Sequence, residues 1–87
     1  MAKYKLVFKK SVAKDLRSIP NTDVKKILAK IDTLTLNPRA EGCIKLSGVD
    51  KYRVRQGIYR IIYQIRDDQL VISVIKIGHR SDVYQSN

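Results

Sequence analysis

The residues richest in chemistry are arginines at alternating positions. Arg53 and Arg55 lie in KYRVR, Arg60 follows in IYRIIYQIR, and Arg80 stands beside His79 in the tail GHRSDVYQSN, which also holds Tyr84. A guanidinium stays charged and offers a planar fork of donors that matches phosphate oxygens, so a cluster of Arg rather than Lys suits a phosphate ligand. Histidine is the side chain that ordinarily titrates near neutrality, and a tyrosine ring can stack on an unpaired base. Together these residues describe a phosphate-and-base site. The bland alternative is a solvated strand face and a polar tail.

Other chemistries are poorly supplied. Glu41 is the one glutamate, and no close pair of carboxylates suits glycoside or aspartic chemistry. One His and one Cys, far apart in sequence, do not make a zinc site. No phosphate-binding glycine loop or dinucleotide motif appears. A Cys43–His79 dyad has nothing to position it, and Cys43 reads as a buried structural thiol.

The elements that must carry the arginines can be read from periodicity. Lys3 to Lys9, KYKLVFK, alternates as a strand. Ser11 is placed to cap a helix running to about Ile19, with Val12, Leu16 and Ile19 on one face, and Pro20-Asn21 breaks it. Thr22 is placed to cap a second helix with Asp23 in its first turn. Val24, Ile27, Leu28, Ile31 and Leu34 form its apolar stripe, and Asn37-Pro38 ends it. Residues 39–50 read as a polar connection. From Lys51 the period becomes two, giving three strands, KYRVR, IYRIIYQIR and QLVISVIKI, with turns at Gln56-Gly57 and Asp67-Asp68. Strand, two helices and a three-strand meander predict an α+β fold: a small, twisted, mainly antiparallel sheet in β-α-α-β-β-β order, with a helical hairpin on one face and an open basic face. The length allows one domain over residues 1–87.

Those turns set the pairing. Arg53 faces Arg60, Arg55 faces Ile58, Tyr63 faces Ile72 and Arg60 faces Ile75. One face collects Tyr52, Val54, Tyr59, Ile61, Tyr63, Ile65, Leu70, Ile72 and Val74 as the core side. The other collects Arg53, Arg55, Arg60, Ile58, Ile62, Gln64, Ser73 and Ile75, with His79, Arg80 and Tyr84 at its edge. Like charges directly opposite in a sheet destabilise it by up to roughly 1 kcal/mol, and an anionic ligand gives a reason to accept that.

Composition agrees. The 87 residues carry 18 Lys+Arg against 8 Asp+Glu, a net charge of +10, spread through the body rather than in a tail. That charge calls for a polyanionic partner. Cys43 has no partner for a disulfide, which points to a reducing compartment. MAKYKLVFKK is too densely charged for a signal peptide, and no apolar run approaches the roughly 18 residues of a span, so the cytoplasm is expected and no membrane.

The blocks KLSG, YRVRQGIYRIIYQI and IGHRSDVY, in that order and spacing, resemble the RelE branch of the RelE/ParE toxin superfamily, with GHRSDVY the most specific piece. FKKSVAKDLRSIP and the NPR that ends the second helix are merely typical of it. The resemblance implies a RelE-like microbial RNase fold and the toxin component of a type II toxin–antitoxin system. Its activity would be messenger RNA cleavage in the ribosomal A site, without metal or other cofactor, by attack of a ribose 2′-hydroxyl. By position, Arg53 and Arg60 match basic residues that hold the phosphate, and Arg55 matches a lysine proposed as general base. Arg80 matches an arginine proposed to protonate the leaving oxygen, and Tyr84 a tyrosine that contacts the base. Lys51 and His79 are further candidate substrate contacts. The implied partners are a cognate acidic antitoxin, the 70S ribosome and mRNA, with operator DNA reached only through the antitoxin. The other branch inhibits DNA gyrase, and an inactive RNA- or ribosome-binding relative is a further reading. Arg53, Arg60, Arg80 and Tyr84 separate the nuclease from the gyrase inhibitor.

Overall fold

A computed structural model describes residues 3–46 and 50–79. The elements are β1 (Lys5–Phe8), α1 (Lys10–Arg17), α2 (Asn21–Leu34), β2 (Ile44–Lys45), β3 (Lys51–Gln56), β4 (Tyr59–Arg66) and β5 (Val71–His79). They form a five-stranded mixed sheet in the order β1-β5-β4-β3-β2. β1 runs parallel to β5, and all other pairs are antiparallel. α1 packs on β5 and α2 lies over β3, so both helices cover one face. The α+β expectation holds, with one strand more than the sequence suggested. Ile44 and Lys45, read as part of a polar connection, pair with Arg53 and Tyr52. A two-residue edge strand is too short to leave a period of its own.

Both helices begin two residues earlier than expected. Lys9 and Pro20 occupy the N-cap positions in extended backbone, with no side-chain cap bond, and Ser11 and Thr22 lie inside the first turns. The proline has no N–H to lose, and its fixed φ suits the entry to a helix. Asp23 sits in the first turn of α2, where the helix dipole favours it. Val12, Ile27, Ile31 and Leu34 close over Val54, Ile61, Tyr63, Ile72 and Val74, all nearly or fully buried. Leu28 from the same stripe remains 41% exposed.

The strand register differs from the expectation in an instructive way. The first hairpin turns at Gly57-Ile58, not Gln56-Gly57, so Arg55 pairs with Arg60 and Arg53 with Ile62. Gly57 has φ +60°, while Ile58 does not share a positive φ. A two-residue loop of this kind wants glycine first, whereas turning at Gln56-Gly57 would ask Gln56 to adopt that conformation. The second connection spans Asp67 to Leu70 rather than two residues. Leu70 takes φ +51° and is 39% exposed, outside the core to which it was assigned. Both errors move the pairing by two residues, and a two-residue shift leaves every side chain on its expected face.

A third departure does not preserve the faces. Between Ile62 and Tyr63 the β4–β5 register slips by one: Tyr63 pairs with Val74, but Ile62 pairs with Lys76. Ile75 is the extra residue of this β-bulge. Beyond it, Ile77 rather than Lys76 pairs with Ile61, and Ile77 is 1% exposed in the core.

The far end of the sheet is tied by a polar network. Arg39 forks onto Asp67 at 2.8 and 3.1 Å, Tyr4 donates to Asp67 at 2.7 Å, and Arg39 Nε donates to the Tyr52 hydroxyl at 3.2 Å. The Arg39 and Tyr4 bonds hold the Asp67 carboxyl below the usual range. Among the described residues no helix is long and apolar enough to cross a membrane.

Candidate phosphate site on the open sheet face

The site is built on β3 and β4, away from the helices. Val54 and Ile61 form a core pair, so their neighbours in each strand turn to the other face: Arg53 and Arg55 from β3, Arg60 and Ile62 from β4. Successive rows on this face are Arg55–Arg60–Gly78, then Arg53–Ile62–Lys76, then Lys51–Gln64–Ser73. The Arg55 and Arg60 Cα atoms face each other at about 4.5–5.5 Å. Arg53 stands two residues from Arg55, about 7 Å along the strand. The reach of these side chains therefore covers a single phosphate.

The three guanidiniums are not equivalent. Arg60, on the central strand β4, is 3% exposed, Arg53 is half-buried, and Arg55 is open to solvent. A buried cation is strongly oriented and poorly screened, whereas an exposed one can swing. Arg55, Gly57, Ile58, Tyr59 and Arg60 line a small cleft of about 50 Å³ beside the hairpin loop. Ile58, expected on the arginine face of a strand, is instead the loop tip and 54% exposed. Lys51 shares the arginine face one row beyond Arg53, opposite Gln64.

His79 does not join this face. It pairs with Tyr59, in the alternation that carries Ile61 and Ile77 to the helix side, and its ring meets the Tyr59 ring edge-on at 6.4 Å. The reason is the bulge, which reverses the alternation in the last residues of β5. Tyr59 in turn donates to Asp23 Oδ2 of α2 at 3.3 Å. Arg80 and Tyr84 lie outside the described residues. One contributor escaped the sequence reading. Gly78 brings no side chain next to Arg60, and its place depends on the unforeseen bulge. Ile62 stands as a 9% exposed apolar floor between Arg53 and Lys76.

Comparison with known proteins gives a consistent result. The model of the ParE toxin family, toxins of type II toxin–antitoxin systems of the parDE kind, matches residues 6–84. A candidate toxin, RelE1, of Methanocaldococcus jannaschii is 36% identical, covering 97% of this chain and 98% of its own. The mRNA interferase toxin RelE of Escherichia coli K12 is 33% identical, covering 93% and 90%. Among solved structures, the archaeal RelE–RelB complex from Pyrococcus horikoshii aligns with TM-score 0.81 at 33% identity, covering 90% of this chain and 96% of that one.

Proposed function

This chain belongs to the RelE/ParE family of type II toxin–antitoxin toxins, on its RelE side, and on that footing we propose that it is a ribosome-dependent mRNA interferase. The observation that carries the reading is the Arg55–Arg60 pair with Arg53 beside it on the sheet face the helices leave open. Like charges opposed across a sheet cost stability, and two neighbouring guanidinium forks suit the oxygens of a phosphodiester.

The proposed reaction is an in-line displacement. The ribose 2′-oxygen bonds to the adjacent phosphorus and its proton is released. The bond to the 5′-oxygen breaks, and that oxygen takes up a proton. The products are a 2′,3′-cyclic phosphate and a 5′-hydroxyl. Negative charge grows on the non-bridging oxygens, where buried, pre-oriented donors are most effective. Arg60 fits that role best because it is already desolvated and held. Arg53 supports it, and the exposed Arg55 closes on the phosphate from across the hairpin. Arg80 is assigned to the leaving oxygen and Tyr84 to the base, on the resemblance of GHRSDVY alone.

Partners follow from the same reading. Named neighbours are complexes of RelE with RelB, including the intact E. coli RelBE complex. For this chain an acidic antitoxin that masks the arginine face is proposed, together with the ribosome, mRNA and a cytoplasmic setting. The family model that matches carries the ParE name, which keeps gyrase inhibition as the competing reading. Arg53, Arg55 and Arg60 on one face favour nuclease chemistry over it. Primer-extension mapping of mRNA in a translation extract tests this: cuts at ribosome-occupied codons with the wild-type chain, and none with Arg60→Gln. Intact transcripts with inhibited DNA supercoiling would overturn it.

A further inference from the structure

β5 changes neighbours half-way along its length. From Val71 to Val74 it runs beside β1, and the last bond of that ladder is Lys9 N–H to the Val74 carbonyl at 2.9 Å. Past this point β1 has ended and α1 has begun, and here β5 carries its bulge. The Ile77 amide, two residues after Ile75, donates to Asp15 Oδ2 of α1 at 3.2 Å, and Lys76 Nζ approaches Asp15 Oδ1 at 3.4 Å. The Asp15 side chain is only 15% exposed. One carboxylate thus takes over the hydrogen bonding of a missing strand. It is also the only acidic residue in the first twenty.

The bulge it grips decides what stands next to Arg60. Without it, the Tyr63–Val74 register would continue as Ile62–Ile75, Ile61–Lys76 and Arg60–Ile77. That arrangement would turn an ammonium toward the core and set a branched side chain beside the buried guanidinium. With the bulge, Ile77 is in the core and Gly78 faces Arg60. A one-residue slip turns every later side chain to the other face, so the last four residues of β5 depend on this device.

We propose that Asp15, on the helix side of the sheet, is a positioning residue for the arginine site on the opposite side, holding the bulge that keeps Gly78 against Arg60. Its activity arm rests on the nuclease reading above; its structural arm does not. A merely structural anchor would lower stability and leave the site's geometry and turnover, per folded molecule, unchanged.

The test uses the full chain with Asp15→Ala, Asp15→Asn and Lys76→Gln, at temperatures where each is folded. Asp15→Ala is expected to lower kcat for mRNA cleavage by about 10- to 100-fold, the scale that an ångström-sized misplacement produces, with little change in KM. It should also speed hydrogen exchange at the Ile77 and Gly78 amides and shift the Arg60 Nε–H resonance. Asp15→Asn keeps an oxygen that accepts from Ile77, and Lys76→Gln keeps the carboxylate, so both should retain cleavage and the Arg60 signal. Should Asp15→Ala not fold, these two decide alone: a tenfold fall in either would overturn the proposal. So would Asp15→Ala with wild-type cleavage and an unmoved Arg60 signal. If the wild-type chain cuts no mRNA, the nuclease reading fails, and the exchange and resonance measurements still decide the role of Asp15.

Discussion

Replacing Arg55 by glutamine should make this protein more stable and less active at once. Arg55 and Arg60 are cross-strand partners, so two like charges share one row of the sheet. With guanidinium centres about 6 Å apart, Coulomb repulsion is about 0.7 kcal/mol in water and rises as the surroundings become less polar. Arg55 is exposed, which keeps the value low, but Arg60 is 3% exposed, which raises it. A gain of about 0.5–1 kcal/mol is expected, within the range for like charges opposed across a sheet. In a domain of this size that is a rise in Tm of about 2–8 °C. Urea unfolding gives the same quantity at constant temperature. Salt provides the internal check. Between about 0.1 and 1 M the screening length falls from about 10 to 3 Å, so the advantage of Arg55→Gln should shrink, by less than for two exposed charges because Arg60 is buried. Cleavage should fall by about 100- to 1000-fold, the scale of one lost donor at a developing anion. A variant no more stable than wild type at low salt, or one whose advantage is undiminished at 1 M salt, would refute the reasoning that the pair is held together against its own repulsion.

Two further outcomes test the scaffold. Tyr63 is fully buried, burial pushes its hydroxyl well above the usual phenol range, and the protonated group donates to the Pro38 carbonyl at 2.7 Å. Tyr63→Phe leaves that carbonyl unsatisfied and should lower stability by about 1–3 kcal/mol in urea titrations, with cleavage per folded molecule unchanged. Asp67 has its carboxyl held below the usual range by the Arg39 fork first and the Tyr4 bond second. A depressed folded value gives stability that is present above the unfolded carboxyl pKa of about 3.9 and is lost as pH falls through the folded value. Asp67→Asn should therefore flatten the decline in Tm below about pH 4, by a modest amount because the pair is exposed, and superimposable acid limbs would contradict this.

How far the site was legible follows from which errors matter in a sheet. The turns were misplaced at Gly57 and at Leu70, yet Arg53, Arg55 and Arg60 fell on the expected face. Alternation has period two, and both errors were two residues long, so composition along the strand survived a wrong register. The identity of the opposed pair did not survive, because it depends on which residue of the hairpin takes a positive φ. His79 was misplaced for a different reason. A bulge is a one-residue event set by a helix 62 positions away in sequence, and nothing in QLVISVIKIGH announces it.

The sequence by itself determined the α+β class, the helical stripe, the alternating strands, the arginine face and the +10 charge that calls for a polyanion. These are local periodicities and sums, and they hold whichever neighbours a strand finds. Only the tertiary structure decided that β1 runs parallel to β5, that Ile44-Lys45 adds a fifth strand, and that Arg60 is the buried member of the cluster. It also decided that Asp15 meets Ile77 and that Gly78 faces Arg60. Each of these is a contact between distant segments, and its energy depends on what packs beside it rather than on the residues that precede and follow it.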